Sequence, residues 1–139
     1  MLLVRLLRSF NDELFAAAAE RGFADLRRAH LPILGNLDRD GIRLTRLARE
    51  CRLSMAATSE LVTDLQTLGY LQREVDPSDG RARLITATER GRLALDEGQR
   101  IVGEIEAKWA AQVGSGHFAA AHAGLAELHA TLETPAQPG

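Results

Sequence analysis

The segment from Asp76 to Gly91, DPSDGRARLITATERG, limits the possible folds of this chain more than any other part of the sequence. Its first five residues form a polar turn, because proline and glycine do not continue a helix or a central strand. Arg81 and Arg83 follow, two positions apart, so on a strand their side chains point to the same side. Thr88 then precedes an acidic residue, which is typical of a helix start.

An alternating stretch directly before this segment adds a strand. Residues 70–75, YLQREV, alternate in polarity as a strand does. The unit is therefore predicted to be a strand, an arginine-tipped hairpin, a second strand and a helix. A hairpin that carries guanidinium groups at its tip suits a phosphate backbone, because a guanidinium donates paired hydrogen bonds to phosphate oxygens.

Two short amphipathic helices are predicted before the hairpin. Residues 44–51 carry apolar side chains at the spacing of one helix face. Ser54 is a suitable N-cap for a second helix, which runs from 55 to about 68 and ends at Gly69. Two helices joined by a tight turn form a helix-turn-helix, whose second helix normally enters the major groove of DNA. Residues 41–88 are therefore predicted to be a winged helix-turn-helix.

This region resembles the MarR (multiple antibiotic resistance regulator) family of bacterial transcription factors. The resemblance rests on LTRLARECRLSMAATSELVTDLQTLGYLQREVDPSDGRARLITATERG and, before it, FADLRRAHLPILGNL. The Asp79-Gly80-Arg81 wing followed by Thr88-Glu89-Arg90-Gly91 is the most family-specific part. Family members usually have Leu-Thr where this chain has Ala87-Thr88, which we interpret as a packing change.

The resemblance implies a sequence-specific regulator that binds double-stranded DNA as a homodimer. The operator would be an inverted repeat, and the commoner mode in such families is repression that a small-molecule effector relieves. The resemblance also implies that the wing arginine, Arg81 here, reaches into the minor groove.

The whole chain, residues 1–139, is predicted to be a single domain that is mainly α-helical with a small β-hairpin wing. Helices are expected over residues 2–21, 24–37, 89–113 and 117–132, with the second helix either kinked or restarted near Pro32 and a short third strand at Ile42. Residues 1–40 and 89–134 would form a helical dimerisation region around the DNA-binding residues 41–88, and residues 135–139 a disordered tail.

The terminal helices carry more leucine than a domain of this size can cover. The leucines that need a partner are Leu2, Leu3, Leu6 and Leu7 at one end and Leu125, Leu128 and Leu132 at the other. In the resembling family the two chain ends intertwine with those of a second chain. We therefore expect a two-fold homodimer.

Charge and composition agree with a cytoplasmic DNA-binding protein. The chain has a formal charge of −2, but residues 41–92 hold nine arginines against seven acids, a net charge of +2. Residues 93–139 hold two basic residues against six acids, a net charge of −4. This polarity would orient the protein on DNA, and the modest positive excess predicts binding that salt weakens readily. A single cysteine suits a reducing cytosol, and no apolar run is long enough to span a membrane.

The candidate DNA contacts lie on the second helix, on the helix before it and in the wing. Hydroxyl groups on the second helix can hydrogen-bond base edges, and its small apolar side chains can touch thymine methyl groups. An ion pair with Glu50 is the alternative role for Arg46, and pairing with Asp79 is the alternative for Arg81. The candidates are Arg46, Arg49, Ser54, Met55, Ala56, Ser59, Thr63, Arg81 and Arg83.

The second helix also carries two acids, Glu60 and Asp64, and no arginine or lysine. Glu60 can accept a hydrogen bond from a cytosine amino group, or it can repel the DNA backbone. The repulsive alternative would favour a winged-helix protein-interaction module that does not bind DNA.

The remaining candidates concern ligands and chemistry. In the resembling family a small-molecule pocket lies between the dimerisation helices and the winged domain; Phe10, Phe23, His30 and Trp109 are its candidate lining here, with core packing as the alternative. Cys51 occupies an apolar helix position and is expected to be a buried structural thiol. We find no motif for a metal, a cofactor or enzymatic catalysis, and the chain is not expected to be an enzyme.

Overall fold

A computed structural model describes residues 1–133 of the chain, so the predicted tail of residues 135–139 lies outside the described residues. The fold is mainly α-helical with one small antiparallel sheet, as predicted. Two compact units are present, Met1–Ile101 and a second unit that begins at Val102. The elements are α1 (Leu2–Ala18), α2 (Leu31–Gly35), β1 (Ile42–Arg43), α3 (Leu44–Cys51), α4 (Met55–Thr67), β2 (Leu71–Asp76), β3 (Asp79–Ala87), α5 (Glu89–Val113) and α6 (Ser115–Glu133).

The first predicted helix is present, but the second is broken. A wide helical turn, Ala19–Phe23, follows α1 and contains Gly22 in the left-handed region, at φ +101°. The helix predicted over residues 24–37 is shorter than expected, because only Leu31–Gly35 form the α-helix α2 and a 3-10 turn, Arg28–His30, precedes it. The restart predicted near Pro32 is confirmed, because Pro32 lies in the first turn of α2, where its missing N–H costs no hydrogen bond.

The helix-turn-helix has the boundaries that the cap residues predict. The Ser54 hydroxyl oxygen accepts a hydrogen bond from the Ala57 N–H at 3.1 Å and caps α4. Gly69, at φ +87°, ends the helix, and the Tyr70 N–H returns to the Leu65 carbonyl oxygen at 2.9 Å. Arg52 is left-handed at φ 55° and lies beyond the end of α3.

The sheet has the strand order β1-β3-β2, so the predicted third strand at Ile42 is confirmed. Ile42 pairs with Ile85 of β3, and both side chains are buried. The same core contains Leu47 of α3 and Val62 and Leu65 of α4, all without solvent exposure. Burial of these side chains therefore fixes both helices of the helix-turn-helix on one face of the sheet.

The start of α5 is built on the loop that ends α4. The Thr88 hydroxyl oxygen accepts a hydrogen bond from the Gly91 N–H at 3.1 Å and thus caps α5 as predicted. The same hydroxyl donates to the Gly69 carbonyl oxygen at 2.5 Å. Helix α5 therefore begins at a position set by the end of α4.

The second unit contains the end of α5 and all of α6. Gly114, at φ +92°, separates the two helices, and α6 begins at Ser115, two residues earlier than expected. Leu125, Leu128 and Leu132 are 50%, 50% and 70% exposed. Within the described part of the chain, no helix combines the length and the apolar character needed to cross a membrane.

Gly91→Ala should destabilise the protein, because an added Cβ would lie 2.1 Å from the Tyr70 carbonyl oxygen. Overpacking of this kind costs about 1–3 kcal/mol of unfolding free energy, which urea denaturation measures. The control is Gly98→Ala in the same helix, where nothing lies within 4 Å of the added Cβ. That change should stabilise the protein by about 0.5–1 kcal/mol, and equal effects of the two changes would contradict this account.

Candidate nucleic-acid interface

Helix α4 presents a polar face to solvent and an apolar face to the core. Thr58, Val62 and Leu65 are fully buried, and the Thr58 hydroxyl donates to the Ser54 carbonyl oxygen at 2.8 Å. The predicted contact residues lie on the other side. Ser54, Met55, Ala56 and Thr63 are exposed, and Ser59 is half-buried.

The base of the wing is fixed by Asp76, which is buried. One carboxylate oxygen accepts hydrogen bonds from the Ser78 N–H at 2.8 Å and the Ser78 hydroxyl at 2.7 Å. The other accepts from Nε and Nη2 of Arg43, at 2.8 and 2.6 Å, and so joins β1 to the wing. Hydrogen bonds from Ser78, then from Arg43, lower the pKa of Asp76 to about 2.

The tip of the wing leaves two guanidinium groups exposed. Asp79 accepts a hydrogen bond from the backbone N–H of Arg81 at 3.0 Å, and no bond joins Asp79 to the Arg81 guanidinium. The side-chain pairing considered as the alternative role of Arg81 is therefore wrong. Arg83 is exposed on the same strand, and its Nη1 makes only a 3.4 Å contact with the Ala82 carbonyl oxygen.

The acid Asp64 on α4 is engaged by the chain itself. His30 has no solvent exposure, and its Nδ1 accepts a hydrogen bond from the Arg27 N–H at 3.0 Å. The proton therefore sits on Nε2, which donates to Oδ2 of Asp64 at 2.5 Å. Arg27 Nη2 donates to the same oxygen at 2.6 Å. Hydrogen bonds from His30, then from Arg27, lower the pKa of Asp64, so this carboxylate is an anchor for α4.

Arg73 was missed as a candidate contact. It lies on β2, and its Nη2 is 3.4 Å from Oγ1 of Thr63 and 3.5 Å from Oγ of Ser59. A basic group therefore lies on the outer face of α4 although the helix has none of its own. The sequence contains a signal for this position. Arg73 is two residues after the buried Leu71, so on a strand the two side chains lie on the same side.

Carboxylates neutralise some arginines of the winged region and leave others available. Arg46 lies 2.8 Å from Asp38 and 3.7 Å from Glu50, so the predicted Arg46–Glu50 pair is formed. A phosphate contact by Arg46 would compete with both acids. Among residues 1–133, four arginines of the helix-turn-helix and wing have no carboxylate within ion-pair distance: Arg49, Arg73, Arg81 and Arg83.

A small cluster joins the end of α4 to the start of α5. The Tyr70 hydroxyl donates to Oδ1 of Asp25 at 2.5 Å, and Arg90 Nη2 donates to Oδ2 at 3.1 Å. The Arg90 guanidinium lies over the Tyr70 ring, 4.3 Å from its centroid, and also bonds the Leu68 carbonyl oxygen. Burial and the neighbouring carboxylate raise the pKa of Tyr70, which stays a neutral donor.

The predicted pocket residues have different surroundings. Phe23 lies against Tyr70, with ring centroids 6.2 Å apart, and His30 belongs to the Asp64 anchor. Phe10 is half-buried on α1, and Trp109 is half-buried on α5 in the second unit. Their role in ligand binding stays a prediction.

A groove of about 560 Å³ lies beside α4. It is lined by Arg27, Ala29, Leu53, Ala57, Glu60, Leu61, Thr63, Asp64 and Thr67, and it contains none of the four predicted pocket residues.

Cys51 has the surroundings of a structural thiol. It is half-buried, and its sulfur donates to the Pro32 carbonyl oxygen at 3.3 Å. Burial raises the pKa of the thiol, so the reactive thiolate is disfavoured. No cluster of metal-ligating side chains occurs among the described residues.

Together, the helix-turn-helix, the hairpin and helix α5 define a winged-helix protein. Residues 24–82 match the model of the MarR family, which confirms the resemblance seen in the sequence.

Solved structures share the fold at low sequence identity. CouR from Rhodococcus jostii RHA1, bound to p-coumaroyl-CoA, is 22% identical, with a TM-score of 0.74 over 99% of this chain and 93% of that one. A variant of MepR from S. aureus is 19% identical, with a TM-score of 0.72 over 95% and 96%. YusO from Bacillus subtilis is 17% identical, with a TM-score of 0.68 over 91% and 89%. CouR and MepR have also been solved with DNA. No curated protein sequence matches this chain.

Asp64→Ala should lower the thermal unfolding midpoint, because it leaves the buried Nε2–H of His30 without an acceptor. Asp64→Asn should lower it less, since an amide oxygen can still accept that bond. The control is Glu60→Ala, which removes an exposed acid from the same helix and should change the midpoint little. Equal midpoints for Asp64→Ala and Glu60→Ala would refute the anchoring role.

The wing should lose stability in acid as Asp76 becomes protonated. The pKa of Asp76 falls from 3.8 to about 2 on folding, so its contribution is fully present above pH 3.8 and is lost as the pH drops through about 2. Asp76→Asn should therefore lower stability at neutral pH and flatten its decline between about pH 4 and pH 2.

Denaturation curves measured across this pH range test the expectation. The matched control is Asp96→Asn, because Asp96 is exposed and has no hydrogen-bond partner within residues 1–133. A decline as steep in Asp76→Asn as in the unchanged protein would contradict the role of Asp76.

Proposed function

We propose that this protein is a transcriptional repressor that binds an inverted-repeat operator in double-stranded DNA as a homodimer. The observation that carries the proposal is the contact of the Arg73 guanidinium, on β2, with two hydroxyl groups on the outer side of α4. Exposed hydroxyl and methyl groups of α4 and the exposed wing arginines Arg81 and Arg83, which no carboxylate of residues 1–133 neutralises, add to this surface. Such a surface suits base edges and phosphates together.

The residue roles follow from their positions. Met55, Ala56, Ser59 and Thr63 would face bases in the major groove, and Ser54 would lie near the phosphates at the start of α4. Arg81, at the wing tip, would enter the minor groove, with Arg83 on the adjacent phosphate. Arg49 would contact phosphate from α3, and Arg46 would do so by exchanging its carboxylate partners.

Exposed apolar surface supports the homodimer. In the first unit the N-terminal turns of α1 expose Leu2, Leu3 and Leu7 by 71%, 59% and 60%. In the second unit α6 exposes its own leucines. Apolar surface of this extent favours a partner chain, and a two-fold dimer would place two α4 helices roughly 34–36 Å apart on one side of the duplex.

Release by a small molecule belongs to the same proposal. CouR has been solved with p-coumaroyl-CoA and MepR with ethidium bromide, so this fold accommodates ligands in those proteins. Phe10, Phe23, His30 and Trp109 are the candidate contacts here. A cytoplasmic location, predicted from the single cysteine, completes the proposal.

A winged-helix module that binds protein instead of DNA is the second candidate. Glu60 favours it, because this acid is exposed on α4 and has no ion-pair partner within residues 1–133. Asp64 no longer supports it, since Arg27 and His30 engage that carboxylate.

Fluorescence anisotropy with duplex DNA from the region upstream of the protein's own coding sequence separates the two candidates. A repressor should bind saturably, lose affinity with salt and prefer an inverted repeat. Absence of binding at low salt would favour the interaction module.

Arg81→Ala should weaken duplex binding by roughly tenfold or more and reduce the salt dependence by about one phosphate contact. Arg100→Ala is the control, because it removes the same charge from α5, where Arg100 is paired with Glu97 at 3.3 Å. It should leave the affinity nearly unchanged. Equal losses of affinity in the two variants would show that binding depends only on net charge and that Arg81 does not contact the DNA.

A further inference from the structure

We propose that Arg73 is the base-reading arginine of this protein and that it recognises guanine in the major groove. This inference rests on the proposed function and adds a residue and a base to it. Strand β2 supplies the side chain, and α4 supplies the surface on which it lies.

The position of the Arg73 guanidinium is the first argument. Its Nη2 lies 3.4 Å from Oγ1 of Thr63 and 3.5 Å from Oγ of Ser59, two residues one helical turn apart on the outer face of α4. Both contacts are at the long end of the hydrogen-bond range, so they are weak. They orient the guanidinium, and contacts with DNA can replace them at little cost in free energy. No other basic side chain reaches these two hydroxyls within residues 1–133.

The second argument is the absence of competing carboxylates. Neither Asp64 nor Glu60 pairs with Arg73. Asp64 is occupied by Arg27 at 2.6 Å and His30 at 2.5 Å. Arg43, Arg46 and Arg90 are paired with carboxylates, whereas Arg73 is not. The N–H donors of Arg73 are therefore available for an external acceptor.

The third argument is the rigidity of the backbone that carries Arg73. Arg73 is opposite Ile85 of the central strand β3, and Ile85 is 1% exposed. Leu71, two residues earlier, is 2% exposed. A side chain on a strand held at these points reaches α4 from a fixed origin, which favours specific over general contacts.

The chemistry of the group selects the base. A guanidinium has five N–H donors and no acceptor, so it needs two acceptors side by side. In the major groove guanine offers that pair, O6 and N7, whereas adenine offers one acceptor beside a donor. Exposed Glu60 disfavours tight phosphate binding at this face, which leaves selective base contacts as the larger part of recognition here.

The test begins with duplexes selected by the unchanged protein from a randomised pool. Affinities are then measured for single-base variants of the selected site, with the unchanged protein, Arg73→Ala and Arg73→Lys. We expect one G·C pair in each half-site whose change to A·T weakens the unchanged protein by about 5- to 150-fold. Arg73→Ala should abolish that preference and keep the preferences at other positions.

Arg73→Lys and Arg49→Ala distinguish recognition of guanine by the Arg73 guanidinium from a general loss of positive charge. Lysine keeps the charge but lacks the fork, so Arg73→Lys should keep the salt dependence and lose most of the guanine preference. Arg49→Ala should weaken all duplexes by the same factor, as loss of a phosphate contact does. Arg73 is exposed, so its variants should unfold at the temperature of the unchanged protein.

Two results would overturn the inference in distinguishable ways. If Arg73→Ala weakens every duplex equally, or leaves the guanine preference intact, Arg73 does not read a base although the proposed function stands. If the unchanged protein selects no duplex, the proposed function fails and this inference fails with it.

Discussion

The arrangement of this fold depends on the contacts of one buried residue, Tyr70. Its backbone N–H closes the end of α4 on Leu65, and its ring lies fully within the core. Its hydroxyl bonds Asp25, its ring carries the Arg90 guanidinium, and its carbonyl oxygen lies so close to α5 that position 91 must be glycine. The end of α4, the start of β2 and the start of α5 therefore meet at a single residue. Because the Tyr70 side chain is buried, its contacts hold these three parts of the chain in one arrangement.

Charge in the winged region is divided between structure and surface. Arg43, Arg46 and Arg90 are held by carboxylates and stabilise the connections between elements. The arginines left without such partners lie in α3, the wing and the face of α4. A net charge summed over the sequence cannot separate these two groups, because it counts a paired and an unpaired arginine alike. The modest excess of +2 in residues 41–92 therefore does not show which guanidinium groups are available to an external acceptor.

Local signals in the sequence predicted the elements well. Ser54, Gly69 and Thr88 marked the ends of α4 and the start of α5 correctly, because a cap depends on residues within one turn of itself. The same local view extended the second helix over residues 24–37 and gave no partner for Asp64. Both depend on contacts between distant positions: Asp64 meets His30 across 34 residues, and periodicity contains no information about such pairs. The contacts of Arg73 with Ser59 and Thr63 also join distant positions, and the roles of all the candidate DNA contacts stay predictions.

The neutral ring of His30 has a consequence for how α4 can vary. One nitrogen must accept from the Arg27 N–H, so the other must donate, and position 64 must offer an acceptor. A basic residue at position 64 would place its own N–H donors against the buried Nε2–H donor of His30. Such a residue is therefore compatible with this fold only if position 30 changes as well. The acid at position 64 of α4 is thus a requirement of the core, set by the residue at position 30. Substitutions at positions 59 and 63, on the outer side of α4, leave this contact intact, whereas position 64 must keep an acceptor unless position 30 changes as well.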